Sequence, residues 1–193
     1  MSMIEQVLGG VSGAADPAGR PLVVSTEDAV HLLRRASFGP TPASITEVRQ
    51  LGVDGWLLAQ MRAEGGLLGD TEMERRLVGF RSLDNGARAN RNLARLSGMG
   101  SIPSREIRYA TVLHATYARS QLREVLVDVW ANHFHTDIAK GAVRYGKAAE
   151  IAAFRQHALG NFRDLLRASA RSTTMLVFLD NHRSRAPIPN ENY

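Results

Sequence analysis

Residues 120–135 read Ser120-Gln-Leu-Arg-Glu-Val-Leu-Val-Asp-Val-Trp-Ala-Asn-His-Phe-His135 and are the clearest helical segment of the chain. Apolar side chains recur there every three or four residues, which is the spacing along one face of an α-helix. These positions are Leu122, Val125, Leu126, Val129 and Trp130, and the series continues onto His133. We therefore predict that His133 faces the core, where it is either hydrogen-bonded internally or exposed to a functional cavity.

Helical spacing also dominates the rest of the chain. Ser25, Thr41, Ser120 and Ser172 precede apolar-periodic segments, where a hydroxyl side chain is a favourable N-cap. Gly52 is predicted to end one helix, and a loop through Gly141 and Gly146 is predicted to precede another. Further predicted helices include residues 53–61, 71–80, 87–96, 148–158 and 162–170, whereas residues 175–179 suit either a helix or a strand. The expected fold is all-α, an irregular bundle of about eight to ten short to medium helices.

The N-terminal segment differs in composition from the remainder. Residues 1–24 are rich in Gly, Ala and Pro, and we predict that they form a mobile arm. Residues 25–193 are expected to belong to a single helical domain. The chain has no run of about 18 apolar residues, and its first residues do not resemble a secretory signal. The default expectation is a cytoplasmic protein without a transmembrane segment.

The composition restricts the available chemistry. The chain has no cysteine, so disulfides, thiolate nucleophiles and cysteine-ligated zinc are excluded, and any metal would need His, Asp or Glu ligands. The net charge is +5, with 22 arginines but only 2 lysines. Because the arginines are scattered along the predicted helices and interleaved with Asp and Glu, and no nucleic-acid-binding motif accompanies them, we predict that the chain does not bind nucleic acid.

Several motifs together resemble one protein family. They are His31-Leu-Leu-Arg-Arg-Ala-Ser-Phe-Gly-Pro40, Gln121-Leu-Arg-Glu-Val-Leu-Val-Asp-Val-Trp-Ala-Asn-His-Phe134, Ala158-Leu-Gly-Asn-Phe-Arg-Asp-Leu-Leu166, Met175-Leu-Val-Phe-Leu-Asp-Asn181 and Pro189-Asn-Glu-Asn-Tyr193. In this order, they closely resemble the bacterial domain-of-unknown-function 1800 family. The resemblance implies a mostly helical protein without established catalytic residues.

The resemblance also implies a larger domain. Family members are usually longer, and their Asn-Glu-Asn-aromatic segment leads into a helix that begins Ala-Arg-Glu. The chain therefore resembles a fragment, the N-terminal part of the family domain. We expect it to be only marginally stable, because the apolar faces of residues 148–179 are predicted to pack on helices that the sequence does not include. Genes of a sulfatase-like uncharacterised family often lie beside those of this family, which suggests a protein partner. Many relatives are exported.

The candidate pocket is centred on the unusual histidine. Its predicted members are Trp130, Asn132, His133, His135, His114, Asn190 and Glu191. A divalent metal is a candidate cofactor, with His133, His135 and Asp137 as ligands. Two histidines two residues apart diverge on a continuous helix, so joint ligation requires the helix to end between them. The alternative is a core histidine that is hydrogen-bonded and packs beside Trp130.

Two other clusters have both structural and functional interpretations. The segment Asp180-Asn181-His182-Arg183, together with Asn190-Glu191-Asn192, can bind an ion or form a polar connection stabilised by local backbone hydrogen bonds. Arg34 and Arg35 can bind an anion or complement a helix dipole, and we favour the dipole. The resulting hypothesis is a structural or interaction module. The alternative is a metal-assisted or acid-base enzyme that uses His133 and acidic residues and is complete only in the full-length domain.

Overall fold

The computed structural model describes residues 23–62, 71–98 and 100–192, which form nine α-helices and one 3-10 turn. The helices are α1 (Thr26–Ala36), α2 (Pro42–Arg62), α3 (Thr71–Leu77), α4 (Ala87–Ser97), α5 (Ile102–Tyr117), α6 (Gln121–His133), α7 (Val143–His157), α8 (Phe162–Ala170) and α9 (Thr173–Phe178), followed by the turn Asn181–Arg183. The predicted all-α fold is confirmed. The segment 175–179, for which a strand was an alternative, lies largely in α9. No helix of the described ranges has the length and hydrophobicity needed to cross a membrane.

Nearly all of the predicted N-terminal arm, residues 1–22, lies outside the described residues. The described residues fall into two compact units. The first unit contains residues 23–62 together with Ala118–Val125. In it α1 packs on α2, and its core includes Leu33, Val48 and Trp56. Leu122, at the start of α6, packs against the same core.

The second unit contains residues 71–117 and 126–192, apart from residue 99. Helix α7 is central to this unit because α4, α5, α8 and α9 all contact it. The apolar core contains the buried side chains Val127, Phe154, Ala158 and Leu165. Phe154 is fully buried on α7, so this helix supplies the largest apolar side chain of that core. The candidate site is built on this framework.

Three predicted N-caps are confirmed by backbone hydrogen bonds. The hydroxyl of Ser25 accepts from the amide of Asp28 at 3.0 Å. Thr41 accepts from Ser44 at 3.1 Å, and Ser172 accepts from Met175 at 3.0 Å. Each hydroxyl thereby satisfies an amide that has no partner within the first helical turn. Local sequence chemistry is sufficient to place these three helix starts.

The hydroxyl of Ser120 was predicted to cap α6, but this prediction is wrong. Ser120 is buried and donates to the backbone carbonyl of Gln60 at 3.2 Å. The side-chain oxygen of Gln60 instead accepts from the amide of Leu122 at 3.2 Å, and its amide nitrogen donates to the carbonyl of Arg119. A side chain from the end of α2 thus caps α6 inside the first unit.

Two glycines that were predicted to interrupt helices behave differently. Gly52 has φ 74° and ψ 168°, so it separates two helical stretches within α2 as predicted. Gly146 was placed in a loop before a helix at residues 148–158, but α7 already begins at Val143. That loop prediction is wrong. A Cβ at position 146 would lie 3.3 Å from Cγ2 of Thr174, so glycine here permits close helix packing.

Candidate functional site

His133 lies on the surface, so the prediction that it faces the core is wrong. The buried side chains of α6 are Glu124 and Val127, whereas Val129 is exposed together with His133. Leu122, Leu126 and Trp130 of the predicted apolar series are partly buried against the cores. The side of α6 that carries Val129 and His133 instead faces solvent.

The end of α6 forms a cluster of aromatic rings with α8, which we call the aromatic surface. It consists of Trp130, His133, Phe134 and Phe162. The ring centroids of Trp130 and Phe162 are 5.7 Å apart, and those of His133 and Phe134 are 4.8 Å apart. Such separations allow stacked or edge-to-face contacts, which favour a defined arrangement of the rings.

The aromatic surface contacts the core through Phe134 and includes a residue of α8. The ring centroids of Phe134 and the fully buried Phe154 are 5.9 Å apart. Asn161 caps α8 by accepting from the amide of Arg163 at 2.8 Å, which places Phe162 at the first helical position. Phe162 nevertheless remains 52% exposed, and Leu166, one turn later on α8, is 45% exposed. The result is an apolar surface that contacts the core through Phe134 and is open to solvent at Phe162 and Leu166.

The predicted pocket residues on α6 have different environments. The indole Nε1 of Trp130 is buried and has no hydrogen-bond partner among the described residues. Asn132 is exposed, and its side-chain amide donates to the carbonyl of Asp128 at 2.9 Å. The rings of Trp130 and His133 therefore belong to one cluster, whereas the side chain of Asn132 bonds to the backbone of its own helix.

The proposed metal ligands do not form a recognisable metal site. Helix α6 ends at His133, so the requirement that it end before His135 is fulfilled. His135 contacts the ring of Phe178, and Asp137 accepts from the amide of Ala139 at 2.8 Å. Within the described ranges, no group of three His, Asp or Glu side chains is arranged to hold a metal ion.

The remaining candidates lie on other elements. His114 is half-buried on α5, and Glu191 is exposed near the described C-terminal end. The side-chain amide of Asn190 donates to the carbonyl of Leu179 at 2.6 Å, and its backbone amide donates to the hydroxyl of Ser184 at 3.0 Å. These bonds give Asn190 a structural role in closing the C-terminal loop.

The loop around Asp180 is also held by contacts within the chain. Lys140 donates to Asp180 at 3.0 Å and to the carbonyl of Phe178. The hydrogen bond from Lys140 lowers the pKa of Asp180, partial burial opposes this effect, and the charges of Lys140, Arg183 and His182 add to it. This geometry supports the polar-connection interpretation of the loop.

Arg34 and Arg35 lie in the last turn of α1, and both are exposed. This position agrees with their interpretation as residues that complement the helix dipole.

A buried polar cluster on α7 is not predictable from the sequence as a whole. Glu150 is almost completely buried, and its Oε2 accepts from Lys147 at 2.7 Å and from Thr136 at 2.8 Å. Its Oε1 accepts from Thr174 at 2.5 Å and from Ser172 at 3.2 Å. The sequence signal was the Lys147 and Glu150 pair one helical turn apart. The hydroxyl partners are too distant in sequence to be assigned from spacing.

A second missed cluster connects α4 and α5 through Ser82. The amide and hydroxyl of Ser82 donate to Oε2 of Glu106 at 2.8 and 2.5 Å. The side-chain amide of buried Asn90 donates to the carbonyls of Ser82 and Tyr145, each at 3.0 Å, and to that of Asn85 at 3.3 Å. These bonds fix α4 and α5 with respect to the segment between α3 and α4.

The fold and these sites define a class of all-α, multi-helix proteins. The chain belongs to the family described as proteins of unknown function, DUF1800, whose family profile matches residues 31–193. This match confirms the resemblance inferred from the motifs. No curated protein and no solved structure matched the chain significantly.

Proposed function

We propose that this chain is a protein-interaction module whose contact surface is the aromatic surface of α6 and α8. The observation that carries the proposal is the exposure of Phe162 and Leu166 on α8, together with the ring contacts that lead from Phe162 through Phe134 to the buried Phe154. Large apolar groups held rigidly at the surface lose little conformational freedom on binding. They therefore provide favourable anchors for a partner.

The composition of the surface suits a protein partner with an apolar segment. Aromatic residues are enriched at the centres of protein interfaces, where a few of them account for most of the binding energy. The indole N–H of Trp130 is buried, so Trp130 contributes its ring and not this donor to the surface. His133, at the edge of the surface, supplies an additional polar contact.

The sulfatase-like protein encoded beside many genes of this family is the proposed partner. The association of the genes comes from the family resemblance, and the exposed aromatic surface supplies a physical contact for it. A complex of the two proteins gives the family a role that does not require catalytic residues in this chain.

The test is a titration of the purified neighbouring gene product by isothermal calorimetry. Phe162→Ala should weaken binding about 30-fold, the size expected for an interface anchor. Leu166→Ala and His133→Ala should weaken it less. Val78→Ala is the matched control. It truncates an exposed apolar side chain that lies outside α6 and α8, so it should leave binding unchanged.

Two results would overturn this proposal. The first is the absence of binding by the folded wild-type chain, verified by circular dichroism. The second is equal affinity of wild-type and Phe162→Ala. Stoichiometric metal that is lost on His133→Ala would instead support the alternative of metal-assisted chemistry involving His133 and Glu191.

A further inference from the structure

The positive charge of the chain is concentrated in one segment. Between Asp84 and Glu124 the sequence contains seven arginines and one glutamate, a net charge of +6, whereas the whole chain carries +5. The single glutamate, Glu106, already accepts two hydrogen bonds from Ser82. The arginines are therefore not evenly balanced by acids along the chain, contrary to the expectation from their overall distribution.

Helix α4 carries three of these arginines on one side. Arg88, Arg91 and Arg95 are separated by three and four residues, so they share one stripe that is about 10 Å long. All three are exposed, and α4 contains no acidic residue. Leu96, beside this stripe, is 89% exposed. The opposite side of the helix is held in place by buried Asn90.

Helix α5 combines arginines with apolar side chains in the same way. Arg105, Arg108, Tyr109 and Val112 have the spacing of one helical face, and all four are exposed. Val112 is 64% exposed although it is aliphatic. The five arginine side chains of α4 and α5 form no ion pair or hydrogen bond within the part of the chain that the structure describes.

We propose that the exposed residues of α4 and α5 bind a membrane surface that carries acidic phospholipids. We call these residues the basic surface: Arg88, Arg91, Arg95 and Leu96 on α4, and Arg105, Arg108, Tyr109 and Val112 on α5. Guanidinium groups bind phosphate through paired hydrogen bonds and retain their charge at every physiological pH. Basic side chains near a negative lipid surface each contribute to the attraction.

The apolar residues favour a lipid surface over a nucleic acid. Leu96 and Val112 gain by leaving water for the boundary between headgroups and acyl chains, while neighbouring arginines remain at the phosphates. A phosphate backbone offers such aliphatic side chains no comparable environment. Nucleic acid is therefore treated as an outcome of the test.

The experiment measures flotation of the full chain with lipid vesicles. One set contains phosphatidylcholine alone, and the other contains phosphatidylcholine mixed with phosphatidylglycerol. We expect binding to the second set only, with an affinity that falls as salt increases. Removal of one arginine should weaken binding roughly fivefold, so the triple variant Arg88→Gln, Arg91→Gln, Arg95→Gln should lose about 100-fold.

The matched control removes three exposed arginines of the first unit, in the variant Arg34→Gln, Arg35→Gln, Arg62→Gln. This variant has the same net charge as the α4 triple variant and should retain most of the binding. Leu96→Ser with Val112→Ser tests the apolar contribution without changing charge, and should weaken binding to acidic vesicles. Circular dichroism verifies that each variant is folded.

Three results would overturn the proposal. They are equal binding to neutral and acidic vesicles, equal losses in the α4 variant and its charge-matched control, and binding of a double-stranded DNA oligonucleotide without binding of acidic vesicles. The last result would assign the basic surface to nucleic acid. None of these outcomes depends on the aromatic surface, so a failure here is distinguishable from failure of the protein-interaction proposal.

Discussion

The ammonium of Lys147 lies 2.7 Å from Oε2 of Glu150, in a pair whose side chains are only 12% and 0% exposed. Thr136 donates to the same carboxylate oxygen, and Lys147 also donates to the hydroxyl of Thr136 at 2.7 Å. The pair therefore ties α7 to the segment that follows α6. A charge in such surroundings is stable only while its partners remain in place.

Lys147→Met should lower the free energy of unfolding by about 3 kcal/mol, because it leaves the carboxylate of Glu150 buried without its cation. Urea denaturation followed by circular dichroism measures this loss. Lys140→Met is the matched control, since Lys140 pairs with Asp180 in a half-exposed position and its loss should lower stability much less. Equal losses in the two variants would contradict the assigned role of Lys147.

Asn90→Asp should destabilise the second unit by about 3 kcal/mol or more. The side-chain amide of Asn90 donates to three backbone carbonyls, whereas an aspartate cannot donate and would place a buried negative charge against their oxygens. Thermal and urea unfolding measure the effect. Asn92→Asp, at an exposed position of the same helix, should change stability little, and a comparable loss there would argue for a general effect of negative charge on α4.

Gly52→Ala should lower stability by about 2 kcal/mol. No atom lies within 4 Å of the added Cβ, so the loss comes from the backbone conformation, which is accessible almost exclusively to glycine. Gly55→Ala is the control on the same element, because Gly55 lies within the helix and should gain up to about 1 kcal/mol. A lower free energy of unfolding in Gly52→Ala and a higher one in Gly55→Ala, both from urea denaturation, would support the separation of α2 at Gly52. Stabilisation by both substitutions would contradict it.

The pKa of Asp180 should rise toward its ordinary value of 3.8 in Lys140→Met, because the substitution removes the hydrogen bond and charge that lower it. Carboxyl NMR titration of both proteins measures the change. Since the folded-state pKa is lowered, the contribution of Asp180 to stability is present above the unfolded pKa and is lost as the pH falls through the folded one. An unchanged titration in Lys140→Met would show that this lysine does not set the pKa.

The predictable parts of the fold depend on local chemistry. Hydroxyl caps such as Ser25 and Ser172 act on amides three residues away, so their sequence position is sufficient to place a helix start. The change of backbone direction at Gly52 was predictable for the same reason. The cap of α6 was not, because Gln60 is about 60 residues away in sequence and supplies it through the fold.

The site shows the same difference between local and distant interactions. His133 is unusual in the sequence, but apolar spacing alone does not show that Leu126 and Trp130 face the core while His133 faces solvent. The carboxylate of Glu150 acquires partners from Thr136, Ser172 and Thr174 only when three segments assemble around it. The ring contact between Trp130 and Phe162 likewise requires the packing of α8.

The position of the two lysines has a practical consequence for chemical labelling. Lys140 and Lys147 are the only side-chain amines in the sequence, and the ammonium of Lys147 is engaged by Thr136 and Glu150. Lys140 also pairs with Asp180, but its side chain is 42% exposed against 12% for Lys147, so acylating reagents should modify Lys140 well before Lys147 in the folded chain. Mass spectrometry of acylated Lys147 then counts the molecules in which the surroundings of α7 have opened, without any added dye or engineered cysteine.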